Sequence, residues 1–163
     1  MPLAIPAVDI SEAKEYIFTN CAPRDNINDN YITEIEIGKA VRASSSFPAF
    51  FCPCEYKTHM FMDGGTLDNI PILPLKSMCT QKIMAVNFAA DPVDPNSDVM
   101  DIVMRTLDIM GNKIAEKSLE QSDFILTVPT DRAGLFDIEK LDKCYKFGYN
   151  TVIQNLDKIR AIT

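Results

Sequence analysis

MFMDGGTLDNIPILPL, Met60 to Leu75, is the stretch whose reading decides the fold. An apolar, strand-like run ends at Asp63, and Gly64 and Gly65 follow at once. That order puts a carboxylate at the carboxyl end of a strand, where open α/β sheets place their ligand sites. The two glycines permit positive φ and a close approach of backbone or substrate. Neighbouring backbone amides could hold such a carboxylate ionised. The same residues also spell an Asp-Gly turn, a common hairpin signal. On these residues alone both readings stand. Glu55 to Met62 reads as a hairpin pair leading into the turn. Pro71 to Ser77 reads as a short helix, with Pro71 near its first turn and Asn69 as a candidate cap.

Outward from this segment, strands alternate with helices. Leu3 to Asp9, Tyr16 to Thr19, Lys82 to Phe88 and Asp123 to Val128 read as strands, the third as strongly buried. Thr33 to Ala43 reads as a helix, with Thr33 and Glu36 spaced as a capping box. Asp98 to Gln121 predicts a long amphipathic helix, with Asp98 and Asp101 at its start. Asp137 to Arg160 predicts a final helix, or two meeting near Gly148. Asn20 to Asn30 is a polar loop, and Asp91 to Asn96 is a proline-containing linker within the most flexible stretch, Ala89 to Ser97. The alternation predicts an α/β domain with a mostly parallel sheet, residues 1–163 forming one domain without internal repeats.

Composition narrows the function. The chain has 163 residues, 47% hydrophobic and 24% charged, enough to bury a core. Its formal net charge of −7 argues against nucleic acid, and against binding an anionic membrane by charge. Contact with lipid would have to be apolar. No stretch is long and apolar enough for a transmembrane segment, and the start lacks a signal peptide's basic region. Five unevenly spaced cysteines do not form a secreted disulfide framework, so a reducing, cytoplasmic setting is expected.

Other chemistry-bearing residues have plainer readings. Ser44, Ser45 and Ser46 sit at a helix end without the glycines of a nucleophile elbow. Arg42 reads as a partner in an exposed or structural ion pair. Cys52, Cys54, His59 and Cys79 are zinc-ligand types at no standard zinc spacing. Asp91, Asp94, Asp98 and Asp101 lack the glycine and terminal glutamate of a calcium loop. Met100, Met104 and Leu107 form a helical stripe that suits core packing. His59, the only histidine, reads as an exposed hairpin residue; a catalytic triad would need it between a serine and Asp63.

Four segments together resemble the patatin-like lipid acyl hydrolases. They are Pro2 to Ile10 (PLAIPAVDI), Val41 to Pro53 (VRASSSFPAFFCP), the Asp63 stretch with Asp68, Asn69 and Pro71 behind it, and the tail from Phe136 through Gly148 and Tyr149. The resemblance implies a three-layer α/β/α fold whose N-terminal part is missing here. It implies hydrolysis of an acyl ester in a lipid or phospholipid through a Ser–Asp dyad. Asp63 would be the base, Gly64 and Gly65 would shape its turn, and Asn69 would fix the loop after it. No metal or organic cofactor is implied. The family's nucleophilic serine lies in a G-x-S-x-G elbow and its oxyanion hole in a glycine-rich loop. Neither occurs in the 163 residues, so these residues alone are expected to be inactive. The alternative is a degenerate, non-catalytic binding or assembly module, forming homo-oligomers through an exposed sheet edge.

Overall fold

A computed structural model describes residues 1–21, 30–78, 81–88, 99–131, 133 and 137–162. Most of the Asn20–Asn30 loop, the Asp91–Asn96 linker, Cys79, Asp98 and Phe136 lie outside the described residues. The chain divides into two compact units, Met1–Thr80 with Gly111–Ser118, and Gln81–Met110 with Leu119–Thr163. No described helix is long and apolar enough to cross a membrane.

The first unit is built on β1 (Ala4–Asp9), β2 (Lys14–Thr19), β3 (Tyr31–Ile32), β4 (Cys54–Tyr56) and β5 (His59–Asp63), in the order β3-β2-β1-β5-β4. Helix α1 (Ile37–Ser44) lies between β3 and β4 in sequence, and α2 (Ile72–Met78) follows β5. The α/β class holds, but this sheet is mixed rather than mostly parallel. β1 runs antiparallel to both β2 and β5, and β4 to β5, while only β2 and β3 are parallel. Connection length accounts for two of these three antiparallel pairings. Residues 10–13 join β1 to β2 and residues 57–58 join β4 to β5, and such short links permit only antiparallel return. Ala13 and Lys57 close these turns at φ of 51° and 54°.

Strand alternation sorts the side chains. Register pairs Ala7 with Tyr16 and Asp63, and Asp9 with Phe61, so Ile5, Ala7, Asp9, His59, Phe61 and Asp63 share one face. The core of that face is Ala7, Tyr16, Phe18, Cys54 and Phe61, against Ala40 and Ala43 of α1. The two alanines let the helix backbone approach the aromatic layer. Phe61 meets Phe18 edge-on at 4.9 Å and Tyr16 at 5.5 Å.

Helix α1 begins four residues later than the Thr33–Glu36 capping box predicts. Tyr31 and Ile32 pair with β2 and hold the chain extended, and Glu36, the N-cap, is itself extended at φ −64°, ψ 136°. Pairing to a distant strand overrides the local cap.

Glu15 of β2 is half-buried, and its Oε1 has no hydrogen-bond partner among the described residues. Burial, reinforced by the nearby Asp68 carboxylate, pushes its pKa up to about 7. A carboxyl group whose pKa rises on folding stabilises the fold when protonated, and that contribution is lost as pH rises from 4.5 to about 7. Glu15→Gln should therefore raise the melting temperature at pH 8 and change it little at pH 4.5. Paired thermal melts at the two pH values check this.

The second unit pairs β6 (Met84–Phe88) in parallel with β7 (Phe124–Val128), with α4 (Leu141–Gln154) packed on β7 and α5 (Leu156–Arg160) closing the chain. Helix α3 (Val99–Leu119) contributes its first part here and residues 111–118 to the first unit. β6 is largely exposed, where its sequence predicts a strongly buried strand. Ala85 is buried, whereas Met84, Val86 and Phe88 on the other face are exposed. The final helical segment breaks at Asn155 rather than Gly148. Asn155 turns its side-chain amide back onto the Thr151 carbonyl at 2.9 Å, while Gly148 is carried inside α4.

Candidate active site at Asp63

Asp63 ends β5, where its backbone N–H donates to the Ser46 carbonyl at 3.1 Å. A 3-10 turn over Gly64–Thr66 starts immediately, and the Gly65 N–H donates to Asp63 Oδ1 at 2.8 Å. No other hydrogen bond to this carboxylate occurs among the described residues. Partial burial raises the Asp63 pKa, and the Gly65 amide offsets only part of the effect. The result is a positioned carboxylate that is more basic than a solvated one.

The glycines serve close approach. No described glycine has positive φ, contrary to one of the two roles read from the sequence. A Cβ on Gly64 would sit 2.7 Å from the Pro6 carbonyl oxygen in β1. Gly64→Ala is therefore expected to cost about 1–3 kcal/mol, because backbone rather than a movable side chain must yield; urea denaturation measures it. A Cβ on Gly65 would lie 3.0 Å from Asn69 Oδ1 and 3.1 Å from Asp63 Oδ1, so Gly65 lets both side chains close over the turn.

Asn69 sits beside this turn and does not cap α2, which starts three residues later at Ile72. Asp68 fastens the loop: its Oδ1 accepts from the Ile70 N–H at 3.2 Å and lies 3.5 Å from Ser118 Oγ of α3. Burial raises its pKa as well. Sequence reading gave this role to Asn69, because a partner on α3 carries no local signal.

The serine cluster does end α1, as expected. Ser46 is fully buried and its hydroxyl donates to the Arg42 carbonyl at 2.7 Å. The Arg42 guanidinium donates to Ser46 Oγ and to the Cys52 carbonyl, and lies over the Phe51 ring. Among the described residues it pairs with no carboxylate, so the expected ion pair is replaced by a clamp on the loop. Through the Ser46 carbonyl that loop holds the Asp63 backbone. Cys54 is buried in β4 and Cys52 is exposed, so they do not converge.

His59 is the residue whose burial sequence reading misjudged. It is the hairpin residue expected, pairing with Tyr56 across the β4–β5 turn, but it is not exposed: it opens β5 and its side chain is only 19% exposed. It shares a face with Asp63, but four residues of strand, roughly 13 Å, separate them. Its Nδ1 instead lies 2.6 Å from Oδ2 of Asp9, which is fully buried. Burial pushes the Asp9 pKa up, but hydrogen bonds from His59, Ser11 and Met60 outweigh it and hold the carboxyl below its usual range.

Residues 6–76, which lie within the first unit, match a family model described as Patatin-like phospholipase. The chain is 26% identical over 155 residues to the lysophospholipase NTE1 of Lodderomyces elongisporus, covering 76% of this chain and 11% of that protein. It is 27% identical over 139 residues to the lysophospholipase NTE1 of Scheffersomyces stipitis, covering 68% of this chain and 9% of that protein. With the NTE1 of Candida albicans the identity is 26% over 137 residues, covering 66% and 10%. The chain thus spans about a tenth of the length of the curated relatives it matches. It carries a patatin-like phospholipase domain match and is homologous to the NTE1 lysophospholipases, which places its likeness, at family level, among lipid ester hydrolases.

Proposed function

We propose that residues 1–163 form part of a lipid acyl hydrolase in which Asp63 is the general base of a Ser–Asp dyad. The observation that carries this reading is the Asp63 carboxylate itself. It is half-buried at the carboxyl end of β5, one oxygen is fixed by the Gly65 N–H, and its pKa is raised. A serine hydroxyl becomes an effective nucleophile only when a positioned base removes its proton. The free side of Asp63 can do this. The serine oxygen would attack the ester carbonyl, and Asp63 would pass the proton to the departing alcohol. Asp63 would then draw a proton from the water that releases the acyl group. Gly64 and Gly65 set the turn that aims the carboxylate, and Asn69 closes over it.

The relatives support a substrate class. Those named lysophospholipases suggest a glycerophospholipid carrying an acyl ester. The acidic chain fits a neutral or zwitterionic head group approached through apolar contact. A reducing, cytoplasmic-side setting belongs to the same proposal. With no G-x-S-x-G among these residues, this reading takes the nucleophile and oxyanion donors from outside them. The test is release of fatty acid from lysophosphatidylcholine. The 163 residues alone should give none, and the full translated reading frame containing them should turn it over. Turnover by the 163 residues alone would refute the divided-site reading.

A second reading has one observation in its favour. The exposed Met84, Val86 and Phe88 on one face of β6 suit an assembly module that docks against another chain. Light scattering that shows a monomer at high concentration would remove the homo-oligomeric form of that reading.

A further inference from the structure

We propose that Asp9, Glu12 and His59 form a site for a zinc ion, separate from the Asp63 turn. One ligand atom from each lies within 4.8 Å of the others. Tetrahedral zinc holds its ligands at about 2.0–2.2 Å, hence roughly 3.3–3.6 Å from one another. The required contraction is small, and the Glu12 side chain, exposed in the β1–β2 turn and tied to the Tyr16 hydroxyl through one oxygen, can make it.

The surroundings orient each ligand. The Ser11 N–H holds Asp9 Oδ1 at 2.8 Å, leaving Oδ2 toward His59. The Tyr16 hydroxyl holds Glu12 Oε2 at 2.7 Å, leaving Oε1 for an ion. Tyr16 and Phe61 wall the imidazole at centroid distances of 4.8 and 5.3 Å, which fixes the ring plane. Outer hydrogen bonds of this kind are what aim metal ligands.

The donor set selects the ion. Calcium and magnesium prefer all-oxygen shells, whereas one imidazole with two carboxylates suits zinc. Three protein ligands leave a fourth position open to water or a ligand anion. Binding must open the 2.6 Å His59–Asp9 hydrogen bond: the Nδ1 proton leaves to solvent while the ring carries its N–H at Nε2, so a neutral imidazole and the Asp9 carboxylate face the ion.

The experiment is calorimetric titration of the chelator-stripped 163-residue chain with zinc chloride, with calcium and magnesium chloride for comparison. His59 is the only histidine, so its imidazole resonances report the site without assignment. One zinc ion per chain, a shifted imidazole and at least a tenfold affinity loss in Glu12→Gln are expected. Glu12 is exposed, so that variant should fold, and its melting curve without metal verifies this. Any one of three results overturns the proposal: no zinc binding below millimolar concentration, an affinity unchanged in Glu12→Gln, or an imidazole that does not move. Either of the last two would place bound zinc elsewhere, with cysteine thiolates as the ready acceptors. Calcium or magnesium binding as tight as zinc would overturn the zinc assignment.

Discussion

Asp63→Asn, made in the full reading frame that contains these residues, is expected to lower acyl-ester turnover by about 10⁴–10⁶-fold while the protein stays folded. Members of a nucleophile–base unit act together, and losing one removes most of what the unit contributes. Asn keeps the size of Asp63 and can still accept the Gly65 amide hydrogen bond through its carbonyl oxygen. It cannot take a proton from a serine. The loss should therefore fall on kcat, with little change in KM or in melting temperature. The raised Asp63 pKa adds a further signature. Turnover in the parent protein should decline as pH falls through a midpoint above the ordinary aspartate value of 3.8, because only the ionised base can act. Steady-state kinetics across pH, with circular dichroism on both proteins, measure all of this. A variant within tenfold of the parent would remove Asp63 from the chemistry.

The largest stability effect is expected at Phe61. Its side chain is fully buried between Phe18, Tyr16 and His59, on the strand that delivers Asp63 two residues later. Phe61→Ala leaves a cavity under α1 that Ala40 and Ala43 are too small to fill. Such truncations cost about 3–5 kcal/mol, a large part of the roughly 5–15 kcal/mol that holds a typical domain together. The urea midpoint should fall sharply with an unchanged slope, the sign of lost stability rather than a changed unfolded state. A loss below about 1 kcal/mol would mean that the aromatic layer is not the core of the first unit.

Local chemistry was readable in the sequence wherever neighbours in the chain decide the structure. The β4–β5 hairpin, the short helix after Pro71 and a carboxylate at the carboxyl end of a strand all follow from residues within a few positions of one another. Long-range pairing was not readable. The mixed sheet depends on which strands lie side by side, and Tyr31 and Ile32 delay α1 by pairing with β2. His59 meets an aspartate fifty residues earlier only because β1 and β5 are antiparallel neighbours. The same limit hid Asp68, whose contact on α3 is equally remote in sequence. The glycines were legible as special but for a different reason. Gly64 is small because Pro6 of β1 crosses over it, and Pro6 gives no hint of that in the sequence.

The claim that Asp63 activates a serine is tested most directly by fluorophosphonate labelling, with the modified residue located by mass spectrometry. The full reading frame should label on one serine within G-x-S-x-G, and the labelling rate should collapse in Asp63→Asn. The 163 residues alone should not label. A label on Ser44, Ser45 or Ser46, or a rate indifferent to Asp63→Asn, would contradict the account.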